Sequence, residues 1–124
     1  MRRKSTTLTE LELEIMKVVW DLEKVTVREV YETLLKRRKV AYTTVMTMMK
    51  ILEQKKYLKK NQTDRAYVYH AAQPRRQVIG AMVRDFVNRV FNGSAEPLLV
   101  HLVEEHDLSK KDLAEIARIR KGKS

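Results

Sequence analysis

The stretch AYTTVMTMMKILEQKKYLKK, residues 41–60, decides how this chain is read. Three threonines stand among its first seven residues, and a branched Cβ makes threonine a mediocre helix former. The apolar residues nevertheless recur at helical spacing. On a wheel of ~100° per residue, Val45, Met48, Met49 and Leu52 share one arc, with Thr43, Thr47, Lys50 and Gln54 opposite. Thr44 and Ile51 lie on one flank, Met46 and Glu53 on the other. The spacing predicts a helix over about 42–56, with at least two of the three methionines in the core as adaptable filler. A solvated helix face usually carries Glu, Lys and Arg. Short hydroxyl side chains suit a face that another surface must approach closely. The DNA major groove admits an α-helix and meets residues near its N-terminus. A threonine hydroxyl can bond bases or phosphates, its methyl can pack on a thymine methyl, and the first amides of the helix favour phosphate.

Upstream, two further helices are marked by their starts. In STTLTELELEIMKVVWDL, residues 5–22, Thr9 and Glu12 have the spacing of a capping box, and Leu8 and Leu13 that of a hydrophobic staple. Leu11, Ile15, Val18, Val19 and Leu22 form a helical stripe, with Trp20 beside it as core or as a contact to a neighbouring element. Thr26 and Glu29 repeat the box, and Val27, Val30, Tyr31, Leu34 and Leu35 mark a short helix that ends in the basic run KRRK, 36–39.

Downstream the period changes. KYLKKNQTDRAYVYHA alternates, with Tyr67 and Tyr69 on one face and Val68 on the other, and NQTD supplies a turn. A hairpin is expected at about 57–61 and 66–70. Pro74 then suits the first turn of a new helix, and Asn92-Gly93 ends it. Two apolar rows run along that helix: Val78, Met82, Phe86, Val90 and Ile79, Val83, Val87, Phe91. Further helices are expected at about 96–105 and after Ser109, where Asp112 occupies the box position. Helix, helix, helix and basic hairpin, in that order, is a winged helix-turn-helix. The expected fold is mainly α with a small β-hairpin wing: a winged-helix DNA-binding domain at 1–73 and a three-helix domain at 74–124. The last 51 residues are too few to bury such broad stripes within one chain, so a homodimer is expected.

Composition agrees. The net charge is +10 over 124 residues, with 16 basic and 9 acidic side chains in residues 1–73 against 10 and 7 in 74–124. The excess therefore favours a polyanionic partner for the first part. The chain has no cysteine, which removes disulfides, thiolate metal sites and thiol catalysis. His70, His101 and His106 are scattered, and the last two stand five apart, the wrong spacing for two ligands on one helix face. Neither a metal nor a cofactor is expected. The sequence offers no Gly-rich phosphate loop, no nucleophile beside a histidine and no carboxylate cluster, so no enzyme is expected. No apolar run approaches the ~20 residues of a membrane span, and no signal core follows the basic start. The cytoplasm is the default location.

LTELELEIMKVVWDL, TVREVYETL, AYTTVMTMMKILEQKKYL and RAYVYHA resemble the penicillinase and methicillin-resistance repressor family (BlaI/MecI), to which the copper-responsive CopY repressors also belong. The similarity extends to FNGS and LVEEHDLSKKDL. It implies a dimeric transcriptional repressor, part of antibiotic-resistance regulation in its relatives, that reads a palindromic operator in double-stranded DNA and whose C-terminal helices intertwine. It implies Ala41, Thr43, Thr44, Thr47 and Lys50 as recognition-helix contacts and Arg65 as a wing contact, with Tyr42 as packing or phosphate contact. Lys59 and Lys60 extend the positive surface, and Thr63 stands at the wing's turn. Copper sensing through paired cysteines is excluded. The β-lactam-responsive members are cut at an Asn-Phe bond by a sensor-linked protease; the corresponding pair here is His101-Leu102. The alternative from the residues alone is a winged-helix protein-interaction adaptor without DNA specificity.

Overall fold

The computed structural model describes residues 8–63 and 66–122. Among them the order is α1 (Glu10–Leu22), α2 (Val27–Leu35), α3 (Tyr42–Gln54), β1 (Leu58–Gln62), β2 (Tyr67–Ala71), α4 (Arg75–Val90), α5 (Ala95–His106) and α6 (Lys110–Gly122). The fold is the expected mainly helical one with a two-stranded antiparallel wing. The chain divides into two compact units, Met1–Gly80 and Ala81–Ser124, so α4 begins in the first and ends in the second.

The capping boxes form as their spacing requires. Thr9 N–H donates to Glu12 Oε1 at 2.9 Å and Glu12 N–H donates to Thr9 Oγ1 at 3.2 Å. Thr26 and Glu29 repeat the exchange at the start of α2, and Ser109 and Asp112 at the start of α6. Each box satisfies two amides that a helix start leaves without an internal partner. Pro74 stands just ahead of α4 rather than within it, its carbonyl accepting from Val78 N–H.

In the first unit the three helices close over one core. Ile15, Met16 and Val19 of α1 are buried, with Val30 and Leu34 of α2 and Val45, Met49 and Leu52 of α3. Of the three methionines of α3, Met49 is buried, Met48 half-buried and Met46 exposed. Leu22, the last residue of the α1 stripe, is also exposed. Trp20 is half-buried and its indole N–H donates to the Gln73 carbonyl at 3.0 Å.

The hairpin sits one residue later than expected, pairing Leu58 with Ala71 and Gln62 with Tyr67. Its base is held to the helices from two sides. Tyr57 and Leu58 are buried below it, and Val25 forms a β-bridge with Tyr69, exchanging hydrogen bonds of 3.0 and 2.7 Å. A single-residue bridge carries no periodic signal in the sequence. The chain leaves α3 through Lys56 at φ 73°, a left-handed conformation that lets Tyr57 N–H close on the Leu52 carbonyl at 2.9 Å.

One charged group lies in this core. Glu12 is 2% exposed, and its carboxylate accepts from Lys55 Nζ at 3.0 and 3.1 Å as well as from Thr9 N–H. The pair ties the N-terminus of α1 to the C-terminal end of α3. Replacing Glu12 by Ala removes a cap and leaves Lys55 without its counter-ion, and is expected to cost about 2–4 kcal/mol. Thr26→Ala removes a cap at an exposed site and is expected to cost about 1 kcal/mol. Urea denaturation of both variants checks the ranking; equal losses would contradict the structural weight given to Glu12.

Candidate nucleic-acid interface

The candidate surface is the outer face of α3. Its underside, Val45, Met49 and Leu52, is fully buried, and at 3.6 residues per turn that burial turns Thr43, Thr47, Lys50 and Gln54 outward. Ala41, Tyr42, Thr43, Thr44, Thr47, Lys50 and Gln54 are all exposed. Among the described residues, Thr43, Thr44, Thr47 and Lys50 make no side-chain hydrogen bond or ion pair. Ala41 occupies the N-cap of α3 and provides no side-chain cap, so the first amides of this helix are open to an external acceptor.

Without a cap, the start of α3 is held by ring packing. Tyr42 meets the edge of Tyr31 at 5.4 Å and 85°, and the Arg28 guanidinium stands 5.6 Å from the Tyr42 centroid. Arg28 and Tyr31 are three apart on α2, which puts both on the side that faces Tyr42. Tyr42 thus makes a packing contact at the start of α3 and remains exposed. Arg28 escaped the sequence reading because only the docking of α2 on α3 brings it to this surface.

The wing adds cations beside the helix. Lys59 is exposed. Lys60 is partly covered, its Nζ 4.3 Å from the Tyr67 centroid and 3.5 Å from Glu53 Oε1. Thr63 is engaged in the turn, where its hydroxyl donates to the Ala66 carbonyl at 2.8 Å. Arg65 lies outside the described residues. In the KRRK run Arg38 is tied to Glu14 at 3.0 Å, while Lys36, Arg37 and Lys39 are exposed. His101 and Leu102, the pair in the place of the cleavage site, lie within α5, His101 exposed and Leu102 half-buried.

The sequence signature of the penicillinase repressor family matches residues 8–121. The chain belongs to the penicillinase repressor family. It is similar to the transcriptional regulator BlaI of Mycobacterium tuberculosis, with 38% identity over 91% of this chain and 87% of that one. Identity is 27% with a penicillinase repressor of Bacillus licheniformis, over 94% of this chain and 91% of the relative. It is 21% with the methicillin resistance regulatory protein MecI of Mammaliicoccus sciuri, over 96% and 97%. Among solved structures, the DNA binding domain of the repressor BlaI covers 60% of this chain and 90% of its own length, with 28% identity and a TM-score of 0.53. The Streptococcus pneumoniae FabT structure in complex with DNA is similar in fold, with 20% identity, coverage of 94% and 78%, and a TM-score of 0.50.

The penicillinase repressor family is one of transcriptional repressors, not enzymes. No helix among the described residues is long and apolar enough to cross a membrane.

Tyr69 gives this region a pH signature. Burial pushes its phenol above the ordinary 10.0, nearby Lys60 pulls it down, and Glu53 and Tyr67 add to the rise. The folded state therefore holds this proton more tightly than the unfolded state, and the resulting stability is lost as pH climbs past 10.0. Tyr69→Phe is expected to lose less stability than the parent between neutral pH and pH 10.0 or just above. Parallel pH–denaturation curves for the two proteins would contradict this.

Proposed function

We propose that this repressor acts as a dimer on a palindromic operator, laying the outer face of α3 in the major groove of each half-site. The observation that carries the reading is the exposed, unengaged row Thr43, Thr44, Thr47 and Lys50 on a helix whose underside is locked in the core. Such side chains are short enough for close approach and can donate to and accept from base edges. Ala41 and the open amides of the first turn suit a phosphate, as do Lys59 and Lys60, with Arg65 the further wing contact that the family resemblance implies. Repression follows if the operator overlaps a promoter and the bound dimer blocks polymerase in the cytoplasm.

Residues 1–73 serve as the DNA-binding part and 74–124 as the dimerisation part. Among the described residues beyond Gly80 none is buried. Val83, Phe86 and Val90 of α4, Leu99 and Val100 of α5, and Ile116 and Ile119 of α6 are exposed. That much apolar surface marks an interface, and a second copy covers it by two-fold symmetry. Half-sites ~34–36 Å apart, or a multiple of that, then match the two reading helices. Derepression by a sensor-linked protease would act at or near His101-Leu102. Because that bond lies inside α5, cleavage requires the helix to open locally.

Gel-shift titration against the intergenic DNA upstream of the gene tests the reading. Affinity should fall steeply with salt, since each neutralised phosphate releases counter-ions. Thr47→Ala should lower the ratio of specific to random binding, about tenfold, while Lys59→Ala should weaken both alike. Loss of equal size on both DNAs from both variants would sink the assignment. Val90→Asp should shift sedimentation from two chains to one and reduce operator affinity at least about tenfold, because two half-sites are then no longer linked; a parent protein that sediments as one chain contradicts the dimer.

A further inference from the structure

Between the start of α2, the outer flank of α3 and the wing lies a cavity of about 540 Å³. Its walls are of two kinds. Met46, Tyr42, Tyr67 and Tyr69 supply a thioether and three phenol rings, while Arg28, Lys50 and Lys60 supply three cations, and no carboxylate stands among its described lining residues. Met46 of α3 and Tyr67 of β2 remain 42% and 48% exposed here, apolar surface beside an otherwise polar helix face.

A phosphodiester strand passing this point explains the cations. It also accounts for the tyrosine hydroxyls, but not for the Met46 thioether or the ring faces, which offer a phosphate no donor. Small-molecule sites, by contrast, are concavities of roughly 300–1,000 Å³ with apolar and aromatic walls and a few converging polar groups. The cations also differ among themselves. Arg28 pairs with Glu32 at 3.6 Å and Lys60 with Glu53 at 3.5 Å, whereas Lys50 has no ion pair among the described residues. A carboxylate entering the cavity therefore finds its free partner on α3.

We propose that this cavity binds a small planar aromatic carboxylate, its ring against Met46 and Tyr67 and its carboxylate on Lys50, and that the bound anion keeps DNA off α3. Lys50 belongs to both surfaces, so the ligand neutralises a charge that DNA needs and fills the space beside the reading helix. The exclusion of DNA rests on the operator reading above; the binding of the anion does not. Such a ligand would release the repressor without cutting α5.

The test begins with the full chain and no DNA. Calorimetric titration with 2-naphthoate should saturate at one ligand per chain. The neutral analogue 2-naphthamide should bind at least about tenfold more weakly, because the charge-assisted contact is gone. Inorganic phosphate should not compete. Tyr67→Ala and Lys50→Ala should each weaken 2-naphthoate about tenfold with an unchanged melting temperature, as both side chains are exposed. No saturation, equal binding of the amide, or full affinity in both variants overturns the site. In a second arm, fluorescence anisotropy of labelled upstream DNA is followed as 2-naphthoate is added at constant ionic strength. Release of DNA supports antagonism; undiminished DNA binding at saturating ligand overturns it. A chain that binds no DNA even without ligand refutes the operator reading instead, and the first arm still decides the cavity.

Discussion

The pairing of Glu12 with Lys55 is the contact on which the geometry of this protein turns. Glu12 caps α1 and at the same time takes both hydrogen bonds of an ammonium group at the C-terminal end of α3. A carboxylate only 2% exposed is tolerable because the Lys55 ammonium and the Thr9 N–H both donate to it. The consequence is positional. With Lys55 anchored and Val45, Met49 and Leu52 buried, α3 has one rotational setting, and Thr43, Thr47 and Lys50 have one direction in which to point.

The two ends of α3 are held differently, and the difference suits a reading helix. Its C-terminal end has an ion pair and a closing turn through Lys56. Its N-terminal end has no side-chain cap, only the contact of Tyr42 with Tyr31 and Arg28. Helix propensity and capping are both sacrificed where the proposed DNA contact lies, and stability is supplied from α1 and α2 instead. Natural proteins break local rules most often at functional sites. In the second unit Val83, Phe86 and Val90 of α4 are exposed in one chain, and the proposed dimer would cover them.

Much of this was legible in the sequence. Thr9/Glu12, Thr26/Glu29 and Ser109/Asp112 announce three helix starts because a capping box is a local device with fixed spacing. The amphipathic spacing of Val45, Met49 and Leu52 likewise set the outward face of α3, and the hairpin was displaced by a single residue. What escaped depends on contacts distant in sequence. The Val25–Tyr69 bridge, the Glu12–Lys55 pair and the Arg28–Tyr42 stack join residues 44, 43 and 14 positions apart. No periodicity encodes such pairs. Met46 was placed on the flank of α3, outside the buried arc, and is exposed there; the cavity beside it depends on the docking of the wing, which no helix wheel shows.

The most direct measurement of the central claim is a map of backbone amide chemical shifts on adding a DNA duplex that carries the operator. The largest changes are expected at Thr43, Thr44, Thr47 and Lys50 and along the Lys59–Lys60 edge, with the buried Ile15 and Val19 of α1 nearly still. A map in which α3 stays silent while α1 or α5 responds would contradict the role assigned to its threonine face.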